Sequence, residues 1–302
     1  MSTRHISTGT LAGVACILEA TARKPGNVHP EWAFQDTTYL DFLLGATAIT
    51  TALERTPQRG VGETVLEAVR SMRNVAGKNT HLGVILLLAP LCALPRSILE
   101  AVASEPGRGA LQSAARELIG ALGRSDAELV YEAIRLAAPG GLGVAAKGDV
   151  RESPPGTLLE VMSLSGDRDL VARQYSNGYD QVVREGLPRM ARTVRAGRSL
   201  EDSVILCQVE FLADHGDSLI ARKCGDAISR EAALRAKEAL KSLGPSDSVR
   251  GKALEALDIW LRADGNRRNP GTSADLTAAV LFLALAGGII PMPIGTDSAH
   301  HG

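Results

Sequence analysis

The chain has 302 residues, of which 45% are hydrophobic and 22% charged, a balance typical of globular rather than disordered proteins. Its 33 basic and 34 acidic side chains nearly cancel, so charge gives no reason to expect nucleic acid or an anionic membrane as a partner. The four cysteines form no CxxC pair, which is typical of reduced thiols, and the N-terminus contains no apolar region of a secretory signal. We therefore expect a cytoplasmic protein that binds neither nucleic acid nor membrane.

Apolar residues recur at helical spacing along nearly the whole chain, as at Val65, Val69 and Met72. Alternating strand patterns with Asn-Gly turns are missing. The pattern predicts an all-α fold, a single-domain compact multi-helix bundle of about ten to twelve helices. The apolar runs Leu82 to Leu94 and Leu276 to Met292 are too short, or too interrupted by glycine and proline, to span a bilayer. We expect both to be buried core helices.

Breaks in the helical pattern carry most of the polar motifs. They are predicted at residues 23–36, 77–81, 139–155, 185–188 and 263–272. None of these segments is a Ser/Pro-rich linker, so one domain is the simpler organisation. The segment 139–155 contains Pro139-Gly140-Gly141-Leu142-Gly143 and then Asp149, a glycine loop without the spacing of a P-loop or a Rossmann motif.

The first break contains Lys24-Pro25-Gly26-Asn27-Val28-His29-Pro30. Lys24 is a candidate phosphate ligand, and Gly26 with Asn27 suits a turn that presents backbone N–H groups to an anion. An ordinary turn after a helix is the alternative interpretation.

Two carboxylates, Asp36 and Asp41, follow this segment. Mg²⁺ takes one or two carboxylates together with phosphate oxygens and water, so the pair is a candidate magnesium site. The alternative is that Asp36 caps the next helix and that Asp41 lies on a solvated face.

Asn79, Thr80 and His81 directly precede a helix that is too apolar to lie on the surface. The N-terminus of such a helix is expected to open into a cavity, with its free N–H groups directed at a ligand. Alternatively Asn79 or Thr80 caps the helix, and His81 is a hydrogen-bonded core histidine.

Further along, Asp217 lies about one and a half helical turns before Arg222 and Lys223, which places a carboxylate near two phosphate-binding cations. The preceding Asp-His dipeptide is weak evidence for a metal phosphohydrolase because too few histidines accompany it. Asp167-Arg168-Asp169 is either a charged helix start or a further pair of carboxylates for metal or acid–base chemistry.

The last motif is Asn269-Pro270-Gly271-Thr272-Ser273-Ala274-Asp275, at the start of the second apolar helix. Thr272 or Ser273 is expected as the N-cap, with Asp275 in the first turn. This helix N-terminus is therefore a candidate site for an anion or for a ligand hydroxyl group.

Taken in order, these motifs resemble the triphosphoribosyl-dephospho-CoA synthase family, from about residue 19 to residue 285. The resemblance implies an all-α, ATP-dependent transferase that joins C1′ of the ATP ribose to a hydroxyl group of 3′-dephospho-CoA and releases adenine. It also implies Mg²⁺ with ATP as the substrate, and a product that becomes the prosthetic group of citrate lyase or malonate decarboxylase acyl carrier subunits. Substitution at an anomeric carbon needs a proton acceptor for the attacking hydroxyl group and cations for the triphosphate.

The resemblance suggests a role for each candidate residue. Phosphates are expected to be held by Lys24, Arg222 and Lys223, next to the turn at Gly26 and Asn27. Mg²⁺ binding or general-base catalysis is expected from Asp36, Asp41 and Asp217. The ribose or the adenine is expected to be oriented by Asn79, Thr80 and His81, and phosphate or acceptor to be bound by Asn269, Thr272, Ser273 and Asp275.

One departure from the family pattern concerns the acceptor. Where lyase-associated members carry Gly-Ala-His-X-Asp-Met, this chain has Asn-Val-His-Pro-Glu-Trp-Ala-Phe-Gln-Asp, which suggests a divergent branch. The alternatives are an enzyme of the same fold with another acceptor, such as a pterin-type cofactor precursor, and a helical protein that binds a nucleotide without turnover. Ala-rich apolar helices are also compatible with a homodimer.

Overall fold

A computed structural model describes residues 6–139, 148–243, 249 and 251–294. Within these ranges the chain forms sixteen α-helices and no strand, so the all-α prediction is confirmed. The number exceeds the prediction because four of the helices have seven residues or fewer. The helices are α1 Thr8–Thr21, α2 Tyr39–Glu54, α3 Thr56–Arg59, α4 Val61–Ala76, α5 Leu82–Cys92, α6 Arg96–Glu100, α7 Glu105–Ala121, α8 Arg124–Ala137, α9 Leu158–Ser163, α10 Leu170–Asn177, α11 Leu187–Arg195, α12 Leu200–His215, α13 Ser218–Cys224, α14 Asp226–Lys241, α15 Lys252–Arg262 and α16 Gly271–Ala286.

Helices α5 and α16 form the centre of the bundle. Every residue of α16 from Leu276 to Ala286 is buried, and α16 packs against α1, α5 and α12. Both apolar runs are therefore buried core helices, as predicted, since a helix that is apolar all round needs protein neighbours on every side. Across the described ranges, no single helix is long and apolar enough to cross a membrane; the pair Leu82–Cys92 and Arg96–Ala103, bent by 110°, meets that test only when combined.

Two tyrosines complete the hydrogen bonding of α5. Pro90 lies inside this helix and has no N–H group for the carbonyl of Leu86, four residues earlier. The hydroxyl group of Tyr175 donates to that carbonyl at 2.6 Å, and Tyr179 donates to the carbonyl of Leu87 at 2.7 Å. Both rings are buried, so the middle of α5 is held against α10 and the residues that follow it.

The predicted break at residues 185–188 is wrong. A π-helical turn, Gln181–Gly186, leads directly into α11, and Pro188 lies in the first turn of that helix. Proline is tolerated there because the first N–H groups of an α-helix have no intrahelical partner. The other four breaks contain non-helical backbone, and the glycines at 140, 141 and 143 lie outside the described residues.

Candidate active site

A cavity of about 980 Å³ lies where the C-terminal part of α1, the loop before α5, the loop before α10, α13 and the N-terminus of α16 meet. This volume is at the upper end for a ligand pocket. One side is apolar and includes Tyr131, Ile134, Val161 and Met162. The other side is polar, and it brings together nine of the residues predicted from the sequence: Asn27, Asp36, Asn79, Thr80, Arg222, Lys223, Asn269, Thr272 and Asp275.

Lys24 does not line this cavity. Its side chain is fully buried, and its ammonium group lies 2.9 Å from Oε1 of Glu19. The same ammonium group also donates to the backbone carbonyls of Glu19 and Ala22. The predicted phosphate contact of Lys24 is therefore wrong, because its donors are used at the C-terminal end of α1.

Gly26 and Asp41 are also engaged away from the cavity. Gly26 has φ +76° and donates its N–H to Oδ1 of Asp258 at 2.7 Å, so it offers no N–H group to an anion. Asp41 forms a capping box with Thr38, the N-cap of α2, and pairs with Lys78 at 3.2 Å. The cap of this helix is therefore Thr38, and the predicted cap at Asp36 is wrong.

Asp217 is a structural cap for two helices. Its Oδ1 accepts the N–H groups of Leu219 and Ile220 at the start of α13, at 2.9 and 3.2 Å. Its Oδ2 accepts the N–H and the hydroxyl group of Ser273 at the start of α16, at 2.8 and 2.9 Å. With both oxygens used and the side chain 1% exposed, Asp217 has no lone pair directed at the cavity. The predicted metal or base role of Asp217 and the ligand role of Ser273 are not supported by this geometry.

The three residues before α5, Asn79, Thr80 and His81, make different contacts. Oδ1 of Asn79 accepts the N–H of Leu82, the first residue of α5, at 3.1 Å, and Asn79 also lines the cavity. Oγ1 of Thr80 lies 2.8 Å from Nδ1 of His81. His81 is turned inward against Phe42, and burial lowers its pKa to about 4. A neutral, enclosed imidazole does not contact a ligand, so the catalytic role predicted for His81 is not supported.

Asp275 lines the cavity, and its carboxylate has no hydrogen-bond donor among the described residues. The N-cap of α16 is Pro270 rather than Thr272 or Ser273, so Asp275 lies in the second turn and not in the first as predicted. The backbone of Gly83 in α5 passes directly beside it. A Cβ atom on residue 83 would lie 2.0 Å from Oδ2 of Asp275, so any residue larger than glycine would displace this carboxylate. Burial, and then the negative charge of Glu19, raises the pKa of Asp275 well above its usual value.

Cations and polar groups form a continuous rim on one side of the cavity. The ammonium group of Lys78 donates to the backbone carbonyl of Asp36 at 2.5 Å, and the carboxylate of Asp36 lies 3.5 Å from the amide of Asn266. The backbone carbonyl of Asn266 in turn lies 3.5 Å from Nζ of Lys223. Burial, and then the neighbouring Arg222, lowers the pKa of Lys223, so an anion bound here would stabilise its charged form.

Several lining residues were not predicted from the sequence. Arg73, in the last turn of α4, reaches the cavity and makes no side-chain hydrogen bond or ion pair among the described residues. Arg168 lines the cavity as well. Asp169 caps α10 and pairs with Arg222 at 3.1 Å, which confirms the charged helix start. Glu19 could have been found, because it is the single charged residue of α1.

Comparison with known proteins identifies the family. The model of the CitG family, described as ATP:dephospho-CoA triphosphoribosyl transferase, matches residues 6–292. The chain belongs to the CitG family. A solved structure from Archaeoglobus fulgidus, provisionally assigned as a triphosphoribosyl-dephospho-CoA synthase, is 26% identical, with a TM-score of 0.61. The alignment covers 82% of this chain and 99% of that one. No curated protein shows significant sequence similarity to the chain.

Membership of the CitG family makes the chain a transferase and confirms the resemblance inferred from its motifs. The two alternatives, a different acceptor and a protein that binds a nucleotide without turnover, are not favoured by these likenesses. The family match also extends across residues 23–36, the segment that suggested a divergent branch.

The polar side of the cavity offers few ligands for a metal ion. In the part of the chain that the structure describes, no group of three or more His, Cys, Asp or Glu side chains is placed to hold a metal ion. Of the three carboxylates predicted to bind Mg²⁺, only Asp36 lines the cavity; Asp41 and Asp217 are used as caps. The described residues therefore form no metal cage made of protein ligands alone.

Proposed function

We propose that the protein transfers the triphosphoribosyl group of ATP to a hydroxyl group of 3′-dephospho-CoA and releases adenine. Family membership supports the reaction. The site is supported by one observation: the cavity combines a cationic rim with the carboxylate of Asp275, to which no described residue donates a hydrogen bond. An anionic donor and an acceptor hydroxyl group need these two features side by side.

The triphosphate is proposed to bind along the rim. Lys78, Lys223 and Arg222 lie on it, and Arg73 supplies a guanidinium group that no described residue occupies. Arginine and lysine bind phosphate oxygens through charge-assisted hydrogen bonds, which are stronger than neutral ones. The apolar side around Tyr131 is suited to the adenine ring or to the pantetheine arm of the acceptor.

Asp275 is proposed as the general base. The bond from C1′ to N9 of adenine breaks, and the bond from C1′ to the acceptor oxygen forms. Asp275 takes the proton of the acceptor hydroxyl group, and over the whole reaction one proton is transferred from that hydroxyl group to adenine. A base is most effective when its pKa lies near the working pH, and the raised pKa of Asp275 moves the carboxylate in that direction.

Mg²⁺ is proposed to enter with ATP as part of the substrate. Bound to the phosphate oxygens, it would offset the negative charge of the triphosphate. Of the three carboxylates predicted to bind Mg²⁺, Asp36 is the one that lines the cavity, and it lies at the cationic rim.

Adenine release tests this function directly. The purified protein is incubated with ATP and Mg²⁺, with and without dephospho-CoA, and the products are followed by mass spectrometry. We expect adenine and a product heavier by a triphosphoribosyl group when dephospho-CoA is present. ATP binding without adenine under either condition would contradict the proposed reaction.

Lys223→Ala and Arg73→Ala are expected to raise KM for ATP by roughly ten- to a hundredfold each, the scale of one charged hydrogen bond. The effect on the KM for dephospho-CoA should be smaller. Lys237→Ala removes an exposed lysine of α14 outside the cavity and is the matched control. Unchanged KM for ATP in both cavity variants would exclude the rim as the triphosphate site.

Gly83→Ala is expected to lower adenine release at least about tenfold while the protein remains folded. The new methyl group would occupy the place of the Asp275 carboxylate, and the carboxylate must rotate away. Alanine is itself a better helix former than glycine, so the helix is not weakened by the substitution. Gly109→Ala, in α7 with nothing within 4 Å of its added Cβ, is the control and should keep full activity.

We also propose that the protein acts in the cytoplasm, with neither nucleic acid nor membrane as a partner. The four cysteines are free thiols, and three of them are buried, which supports a reducing compartment. The homodimer stays a prediction, which sedimentation equilibrium would test.

A further inference from the structure

The buried pair of Glu19 and Lys24 has been given no contact with the substrate in the function as proposed so far. Glu19 is 6% exposed, and it lines the cavity, whereas Lys24 is fully buried behind it. Two charges taken out of water seldom stabilise a fold more than an apolar pair of the same size would. A stabilising role alone therefore gives little reason for this pair, whereas its place at the edge of the cavity suggests a role in the site.

Lys24 holds Glu19 in one position. One oxygen of Glu19 lies 2.9 Å from Nζ of Lys24. The ammonium group is itself fixed by the backbone carbonyls of Glu19 and Ala22 at the end of α1. The cation thus neither reaches the cavity nor moves away from the carboxylate. The second oxygen of Glu19 has no hydrogen-bond donor among the described residues, and Glu19 is one of the residues that line the cavity.

Helix α1 packs directly against α16, which carries Asp275. The charged and titratable groups around Asp275 come from three helices. They are Cys16 and Glu19 in α1, Asp169 at the N-cap of α10, and Asp217 and Arg222 at the N-cap and in the last turn of α13. Asp217 and Asp169 are both committed to helix N-termini. Glu19 caps none of the described helices, and it lines the same cavity as Asp275.

We propose that Glu19, held in place by Lys24, is a positioning residue whose negative charge keeps Asp275 able to take up a proton from the acceptor hydroxyl group. The proposal rests on the proposed function of Asp275 as the base. It gives the Lys-Pro-Gly motif a role one step away from the substrate: Lys24 fixes Glu19, and Glu19 acts on Asp275. Two negative charges close together favour protonation of one of the two groups. For Asp275, the protonated form is the one that exists after the acceptor hydroxyl group has given up its proton.

Glu19→Gln tests the proposal, because glutamine keeps the shape and an oxygen acceptor for Lys24 but removes the charge. In the parent protein, kcat/KM for adenine release should fall on the acid side as Asp275 becomes protonated. In Glu19→Gln this acid limb should move to lower pH by about one unit, the scale of one neighbouring like charge. Glu31→Gln removes an exposed carboxylate that pairs with Arg23, and it should leave the acid limb in place.

A second measurement does not depend on activity. The change in Tm caused by Asp275→Asn is recorded between pH 5 and 9 in the parent and in the Glu19→Gln background. If Glu19 acts on Asp275, the stabilising effect of Asp275→Asn should be smaller in that background, because the ionised carboxylate has lost a like-charged neighbour. Equal effects in both backgrounds, together with an unmoved acid limb, would overturn the proposal. If no adenine is released at all, the proposed function fails and this double-mutant cycle alone decides whether Glu19 acts on Asp275.

Discussion

Asp275→Asn is expected to lower kcat for adenine release by roughly 10²- to 10⁴-fold, the usual contribution of a general base. Asparagine has the same shape, so it does not clash with Gly83, but its amide group cannot take the proton of the acceptor hydroxyl group. ATP binding should change little because the cationic rim is untouched. Asp264→Asn, an identical change at a surface residue that pairs with Arg267, is the control and should keep full activity.

The pH dependence of the parent follows from the same carboxylate. The pKa of Asp275 is raised by burial and by Glu19, so kcat/KM should decline as the pH falls through that raised value, and not near the usual pKa of an aspartate. Asp275→Asn should lack this acid limb. If the variant kept the limb of the parent, another group would be the base.

The same variant is expected to be more stable than the parent at neutral and alkaline pH. An aspartate with a raised pKa in the folded state opposes folding when it is ionised, so its removal stabilises the protein fully above that pKa. The advantage should shrink as the pH falls from the folded pKa towards the lower pKa of the unfolded chain. Thermal unfolding of both proteins across this range measures it, and a variant less stable than the parent at pH 8 would contradict the assignment.

Asp217→Ala is expected to lower the free energy of unfolding by about 3–5 kcal/mol, a large part of the stability of a typical domain. The substitution removes four hydrogen bonds at once. It leaves the N–H groups of Ile220 and Ser273 buried without an acceptor, and that of Leu219 half-buried. Urea denaturation followed by circular dichroism measures the loss.

Two further variants test whether the lost stability comes from the hydrogen bonds of Asp217. Asp217→Asn keeps one oxygen acceptor and should lose roughly half as much stability as the alanine variant. Asp167→Ala removes an exposed aspartate that makes no side-chain hydrogen bond or ion pair among the described residues, and it should change stability by less than about 0.5 kcal/mol. A fully stable Asp217→Ala protein would show that the two helix starts do not depend on this carboxylate.

The fold class was predictable because helical periodicity is a local property. The same periodicity that marks Val65, Val69 and Met72 identifies most long helices, and the two strongly apolar runs could only be central helices. The short helices were not predicted, since a helix of four to seven residues contains too few turns to show a period. Pro188 was read as a break because the sequence does not reveal that it falls in a first turn.

The place of the cavity was also predictable, because polar residues at the starts of buried helices must face something polar. That reasoning located Asn79, Thr272 and Asp275 correctly. It could not assign roles within the motifs. Lys24 and Asp217 are of the residue types that bind phosphate and metal ions. In the structure, however, Lys24 is buried and paired with Glu19, and Asp217 accepts hydrogen bonds from Ser273, which is far away in the sequence. Arg73 was missed for the opposite reason, since an arginine on an amphipathic helix looks like any surface cation.

The shared cap at Asp217 has a consequence for which donors the protein accepts. Arg222 and Lys223 follow this residue in α13, and Asp275 follows Ser273 in α16. One buried carboxylate therefore fixes the spacing between the cations proposed to bind phosphate and the proposed base. A short helix attached in this way cannot slide along the bundle to meet a shorter ligand. Nucleoside diphosphates would therefore lose either the contacts of their terminal phosphate or the alignment of C1′ with Asp275. Selection for three phosphates would then arise from a fixed distance between two helix starts, without any residue that recognises the third phosphate as such.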